Sequence, residues 1–259
     1  MEVFSKPSFD QLTLMQSCKT TCPFSGLPVV DLSMPHSETI VKACEEFGFF
    51  KVINHGIPME VINRSDMRDY VSAVRILAYE VLELLAEGLK IQPKDVFSKL
   101  LRDENSDSFF RINHYPPCPE LQGLNGLDLI GFGEHTDPQL ISVLRSNNVE
   151  GLQICLKDGN WVSVPADEKS FFFIVGDIMQ VMTNGRFKSV KHRVLANSFK
   201  SRISMTYFGG PPLNKLISPL QSLLEGEESL YKELTWGDYI GAALMSNMVD
   251  NRISLFEKK

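Results

Sequence analysis

Three pairs of polar residues between positions 113 and 204 of this 259-residue chain are spaced as neighbours on one face of a strand. His135 and Asp137 lie in GEHTDP, Arg202 and Ser204 in SRISM, and Asn113 and Tyr115 in INHYPP. Residues i and i+2 of a strand project to the same side. In a barrel one of those sides is the interior, where polar groups are costly unless a ligand or partner satisfies them. Three such pairs predict a polar ligand inside. A histidine and a nearby carboxylate, completed by a distant histidine, can occupy one face of an octahedron. That set leaves coordination positions open and suits non-haem Fe(II) oxygen chemistry. His192 is the natural third ligand. The remaining histidines fit less well: His36 falls in an expected loop, His55 in the turn-like NHGIP, and His114 on the face opposite Asn113 and Tyr115.

An HxD triplet is weak evidence alone, since most occupy surface loops. Arg202 strengthens it, standing ten positions after His192 with Ser204 beside it. A buried guanidinium needs an anionic partner, and its planar fork matches a carboxylate. A serine hydroxyl can donate to the same group. A protein Asp or Glu would serve as well, although the neighbouring ISMTYF offers none. Other chemistries find less support. Gly131 and Gly133 belong to no phosphate-loop pattern that follows a strand and opens a helix. No Ser-His-Asp constellation has supporting context. Cys18 and Cys22 resemble half of a zinc site without a second pair nearby.

The elements that must position these residues fall in three zones, 1–106, 107–212 and 213–259. In the first, PVVDL and FFKVI read as strands, with a helix from Ser37 to Phe47 between them. Asp66 reads as the N-cap of a long helix whose Val71, Val74, Ala78, Val81, Leu82 and Leu85 recur at helical spacing, with Gly88 as its stop. In the second zone short β-rich runs follow one another: FFRINHY, LISVLRS, GLQICL, WVSVP, FFFIV, IMQVMT, VKHRVL and RISMTYF. Turn signals such as PPCP, GLNG, KDGN and TNGR separate them. Strands at such spacing predict an antiparallel sandwich or barrel. In the third zone Thr235 is the expected cap of a closing helix, WGDYIGAALM. Phe171, Phe172 and Phe173 read as core packing.

Composition excludes several classes. Apolar residues are 43% and charged residues 22%, an ordinary globular balance, and the net charge of −6 argues against a general affinity for nucleic acid or anionic membrane. Five scattered cysteines argue against a disulfide framework and favour a reducing compartment. The N-terminal MEVFSKPSFDQLTL lacks the apolar region of a secretory signal, and FFFIV is too short to span a bilayer. The expectation is a cytoplasmic monomer acting on a small molecule.

Together these landmarks resemble the plant 2-oxoglutarate-dependent dioxygenases. INHYPPCP, IGFGEHTDPQLISVL, GLQICLKDGNWVSVP, VGDIMQVMTNGRFKSVKHRV and SRISMTYFGGPP stand in that family's order, and VDLS followed by ACEEFGFFKVINHGIP is similar to its N-terminal region. The likeness covers nearly the whole chain. Within the family, LIGFGEHTDPQ, SVLRSNN and VMTNGRFKSVKHRVL resemble the gibberellin 2-oxidases, in particular those acting on nineteen-carbon gibberellins. The resemblance implies that His135, Asp137 and His192 hold Fe(II), that Arg202 and Ser204 bind the distal carboxylate of 2-oxoglutarate, and that Tyr115 with Asn113 helps hold the same cosubstrate. It implies a mainly β fold with flanking helices, a double-stranded β-helix or jelly-roll barrel. It implies O₂ as second cosubstrate, ascorbate as reductant, and a 2β-hydroxylated, inactive gibberellin as product. The substrate pocket is then expected to be largely apolar, with a polar group for the hormone's carboxylate.

One departure stands out. Members of the family carry several dozen residues between the NHGIP region and the helix matching DYVSAVR, whereas here Ile57–Pro58 is followed almost at once by Asp66. A bare sheet edge with exposed apolar surface is the expected consequence. Two alternative functions follow: a non-catalytic or impaired paralogue or splice form, and a dioxygenase for another plant metabolite such as a flavonoid.

Overall fold

The most apolar run of the chain, FFFIV, explains its layering. In the computed structural model, which describes residues 14–16, 24–64, 66–119, 127–224, 226–245 and 252–258, this run is a strand with all five residues buried. Phe171, Phe173 and Val175 belong to a core shared with helices, while Phe172 and Ile174 belong to a core shared with a second sheet. A strand covered on both faces needs no polar alternation and so reads as an unbroken hydrophobic run.

The strands are, in chain order, β1 (Leu14–Gln16), β2 (Val29–Asp31), β3 (Phe49–Ile53), β4 (Phe109–Tyr115), β5 (Leu127–His135), β6 (Ile141–Ser146), β7 (Leu152–Cys155), β8 (Trp161–Ser163), β9 (Phe171–Val175), β10 (His192–Leu195), β11 (Arg202–Gly209), β12 (Leu216–Ile217) and β13 (Leu234–Thr235). The larger sheet has the order β2-β3-β9-β6-β11-β4 and the smaller β1-β5-β10-β7-β8. Strands β2 and β3, from the first zone, thus complete the larger sheet. Residues of both sheets, among them Phe172, Ile174, Leu144, Leu152, Ile154 and Val194, share one interior cluster. This is the two-sheet arrangement of a jelly roll. Among the described residues no strand pair joins the sheets, so hydrogen bonding does not close the expected barrel.

Helices cover the outer face of the larger sheet. They are α1 (Ser37–Glu46), α2 (Met59–Arg64), α3 (Met67–Gly88), α4 (Ser98–Arg102), α5 (Asp177–Met182) and α6 (Trp236–Met245). Helix α1 buries Ile40, Val41, Ala43 and Cys44, one stripe at helical spacing. Helix α3 buries nine residues, from Tyr70 to Ala86, against the same core. Its N-cap is Asp66, whose carboxylate accepts from the Arg68 N–H at 3.2 Å. Helix α6 opens as expected on Thr235, whose hydroxyl oxygen accepts from the Asp238 N–H at 3.1 Å. Among the described residues no helix is long and apolar enough to cross a membrane. Cys18 and Cys22 lie outside the described residues.

Two segments differ from the sequence reading. IMQVMT is not a strand, since Asp177–Met182 is the helix α5. Its buried Ile178, Met179, Val181 and Met182 fit a helical stripe as well as a short strand, the ambiguity inherent in brief apolar runs. Gly176 makes the switch: a Cβ there would lie 1.9 Å from the Gln139 carbonyl oxygen. The close approach turns the chain out of β9, and the Gly176 N–H then donates to the Leu140 carbonyl at 3.2 Å. Conversely, β5 is a strand that the expected set does not include, although its Gly131 and Gly133 disfavour one. Gly131 is needed there, since a Cβ would lie 2.8 Å from the Tyr115 ring. At one end of the larger sheet β4 is an edge strand, with Ile112 51% and Phe109 39% exposed.

Candidate active site

The pairing of β5 with β10 sets His135 opposite His192, with ring centroids 4.2 Å apart. Asp137 does not share a strand with His135, because β5 ends at His135. The same-face argument therefore does not place it. Its backbone does: the Asp137 carbonyl accepts from the Asp177 N–H at 2.8 Å, tying the loop to the start of α5. Asp137 Oδ1 then lies 3.6 Å from His135 Nε2 and 3.7 Å from His192 Nε2. One ligand atom from each of the three lies within 4.8 Å of the others.

The surrounding bonds orient these atoms. His135 Nδ1 donates to the Gly133 carbonyl at 2.8 Å and His192 Nδ1 to the Val190 carbonyl at 3.1 Å. Each Nδ1 therefore carries the proton, and each Nε2 presents a lone pair to the shared space. Ser142 Oγ donates to Asp137 Oδ2 at 2.6 Å, leaving Oδ1 toward the histidines. Burial pushes the Asp137 carboxyl up, but His192, His135 and Ser142 outweigh it and hold it at about 2. Burial pushes His192 below its ordinary value against the pull of Asp137, which favours the neutral, ligating imidazole. A carboxylate oxygen facing the Nε2 atoms of two imidazoles is a donor set suited to Fe(II).

The other two pairs obey the strand argument. Strand β11 pairs with β4 so that Arg202 faces Tyr115 and Ser204 faces Asn113. Arg202 is 1% exposed. Its Nε and one terminal nitrogen have no hydrogen-bond partner, and among the described residues it makes no ion pair. Among the described residues, then, no protein carboxylate satisfies it. Its guanidinium carbon sits 5.5 Å from the centre of the Tyr115 ring, and burial pushes its pKa down. A buried cation with unused donors is a site for a carboxylate ligand.

A cavity of about 340 Å³ joins the metal-type cluster to the β4–β11 pairs, while Arg202 itself lines a separate small pocket. His135, Asp137 and His192 line it with Asn113, Tyr115 and Ser204, and its walls are otherwise largely apolar, including Phe109, Phe132 and Phe208. The remaining histidines are engaged elsewhere. His36 precedes α1, His55 contacts the Lys169 carbonyl at 3.2 Å, and His114 pairs with the Ser201 hydroxyl at 2.6 Å.

Three further residues belong to the site and escaped the sequence reading. Ser142 is a polar residue in an apolar strand, a signal that was legible. Asp177 directly follows FFFIVG; it is 1% exposed and accepts from Ser189 Oγ at 2.5 Å, Tyr239 Oη at 2.5 Å and Thr136 Oγ1 at 3.3 Å. Burial raises its pKa against those bonds. Arg252 lies far along the chain with no local signal, yet it donates to the Thr136 carbonyl and lines the cavity.

Comparison with known proteins agrees with this geometry. Residues 106–211 match the 2OG-Fe(II) oxygenase superfamily, and residues 27–69 match the N-terminal region described as non-haem dioxygenase in morphine synthesis. Gibberellin 2-beta-dioxygenase 1 of Pisum sativum is 47% identical over 324 residues, covering 100% of this chain and 99% of the relative. A gibberellin 2-beta-dioxygenase of Phaseolus coccineus is 46% identical over 329 residues, with the same coverage. Both alignments are longer than the 259-residue chain, so these relatives carry residues that this chain lacks. Among solved structures, JOX2 in complex with 2OG, Fe and JA superposes with a TM-score of 0.76 at 22% identity, over 90% of this chain and 89% of the other. A rice dioxygenase for auxin oxidation gives 0.73 at 20% identity, over 90% and 100%. These two share the fold. The curated relatives show more: the chain belongs to the 2OG-Fe(II) oxygenase superfamily, within its gibberellin 2-beta-dioxygenase family.

Proposed function

We propose that this chain is an Fe(II)- and 2-oxoglutarate-dependent dioxygenase that hydroxylates gibberellins at the 2β position and so inactivates them. In this reading His135, Asp137 and His192 hold the iron. Arg202 and Ser204 bind the distal carboxylate of 2-oxoglutarate, flanked by Tyr115 and Asn113. The observation that carries the reading is a fully buried Arg202 with two unused donors and, among the described residues, no acid to pair with, in a chain that also sets His135, Asp137 and His192 in a metal-type cluster. Iron, 2-oxoglutarate and O₂ together supply the oxidising power for hydroxylating an unactivated C–H bond, releasing succinate and CO₂. The chain's own residues orient and exclude. The Nδ1 bonds of the two histidines keep Nε2 available, Ser142 fixes the Asp137 carboxylate, and the apolar wall limits water around the reacting carbon. That wall also suits a terpenoid skeleton, which supports the substrate named by the relatives. The enzyme is read as a cytoplasmic monomer using ascorbate to keep its iron reduced.

The test is mass spectrometry of the purified protein supplied with Fe(II), 2-oxoglutarate, ascorbate, oxygen and nineteen-carbon gibberellins. Succinate together with a singly hydroxylated gibberellin is the expected result, and His135→Ala or Asp137→Ala abolishes both. Unchanged turnover in either variant would sink the metal assignment. A second reading, ligand binding without turnover, is favoured by one observation: the relatives carry residues absent here. Binding of gibberellin to iron-loaded protein without product, followed by recovery of turnover when a relative's segment is inserted after Pro58, would establish it.

A further inference from the structure

We infer that Arg252 anchors the substrate's carboxylate, making it the residue that selects an acid over a neutral terpenoid. The inference deepens the function proposed above and rests on it for the identity of the acid. Arg252 lines the same cavity as the metal cluster. One terminal nitrogen donates to the carbonyl of Thr136, the residue between His135 and Asp137. Among the described residues its Nε is buried without a partner and it forms no ion pair. Asp177 faces it electrostatically, but that carboxylate is already occupied by the hydroxyls of Ser189, Tyr239 and Thr136. A half-satisfied guanidinium in a largely apolar wall is stabilised by an anion entering the cavity.

The cosubstrate's carboxylate does not fill this role, because Arg202 lines a separate small pocket with Gly151 and Pro165, whereas Arg252 lines the cavity of the metal cluster. Ser142, which bonds Asp137, pairs with Phe208, while Arg202 lies six residues back on the same strand. Arg252 is fixed at Thr136, next to Asp137, and so lies at the metal end. An acid held by Arg252 therefore lies beside the metal cluster and leaves Arg202 to the cosubstrate. The other cation of the cavity, Arg111, is exposed and lies over the rings of Phe109 and Phe208, 5.6 Å from each centroid. Its exposure keeps its charge in solvent, so it gains less from an anion than a buried guanidinium does.

The test is calorimetric binding to anaerobic protein loaded with Fe(II) and 2-oxoglutarate. The ligands are a nineteen-carbon gibberellin, its methyl ester, and a panel of other apolar carboxylic acids. Wild-type protein is expected to bind the acid about 10- to 100-fold tighter than the ester, the range for a hydrogen bond to a charged group. Arg252→Ala loses that preference and binds both equally, Arg252→Lys retains part of it, and Arg111→Ala retains it all. The 2-oxoglutarate affinity stays at the wild-type value in each, which separates this role from cosubstrate binding. Equal binding of acid and ester by wild-type protein overturns the inference, as does a preference that survives Arg252→Ala. An Arg252-dependent preference for a non-gibberellin acid sustains the inference and overturns the gibberellin reading. Failure to bind any acid overturns both.

Discussion

Ser142 offers a sharp test of how the site is built. Its hydroxyl, on a fully buried residue, donates to Asp137 Oδ2 at 2.6 Å and leaves Oδ1 between the two Nε2 atoms. Ser142→Ala removes one oxygen and leaves a buried, charged carboxylate oxygen without its donor. A hydrogen bond to a charged group contributes about 1.5–3 kcal/mol. If that energy serves to hold Oδ1 in the ligating orientation, its loss weakens metal binding by about 10- to 100-fold, the size typical of lost bonds to metal ligands. The assay is anaerobic titration of the metal-free protein with Fe(II), and with Co(II) as an air-stable substitute, against a competing chelator. Thr183→Ala is the control: its hydroxyl donates to the Met179 carbonyl at 2.8 Å beyond the far end of α5. It should cost about 1 kcal/mol of stability and leave metal affinity alone. A folded Ser142→Ala protein with wild-type metal affinity would refute the argument that this bond sets the carboxylate's orientation.

Arg202→Ala should raise the Kd for 2-oxoglutarate by about 10- to 100-fold without changing metal affinity, because two of its buried donors have no protein partner; an unchanged cosubstrate affinity means those donors face something else. Gly176→Ala places a methyl 1.9 Å from the Gln139 carbonyl oxygen and 3.0 Å from that of Asp137. It should destabilise the fold by about 1–3 kcal/mol in chemical denaturation and weaken metal binding, since the loop carrying Asp137 must move; intact metal affinity would separate that loop from the glycine. Thr235→Ala removes the cap of α6 and should cost about 0.5–2 kcal/mol by the same measurement, with no effect on metal affinity. A site effect there would mean that α6 carries the Tyr239 bond to Asp177 with it.

What the sequence determined by itself is what depends on neighbours along the chain. The i, i+2 spacing of Arg202 with Ser204 and of Asn113 with Tyr115 set their shared faces, because strand geometry is local. Helix α3 was legible from its apolar period and Asp66 cap, and α6 from Thr235. The residue types of the His-Asp-His set named the chemistry. What only the tertiary structure decided depends on pairing across the chain. Asp137 reaches the two imidazoles through a backbone bond to Asp177, not through the strand spacing first expected of it. IMQVMT lies in a helix entered through Gly176, where the chain packs closely on Gln139. The orphaned donors of Arg202 are visible only once every neighbouring acid has a place, and Arg252 enters the cavity from the far end of the chain. Local periodicity carries no record of such distant contacts, because the sheet register and the buried polar network that create them form only when the whole fold does.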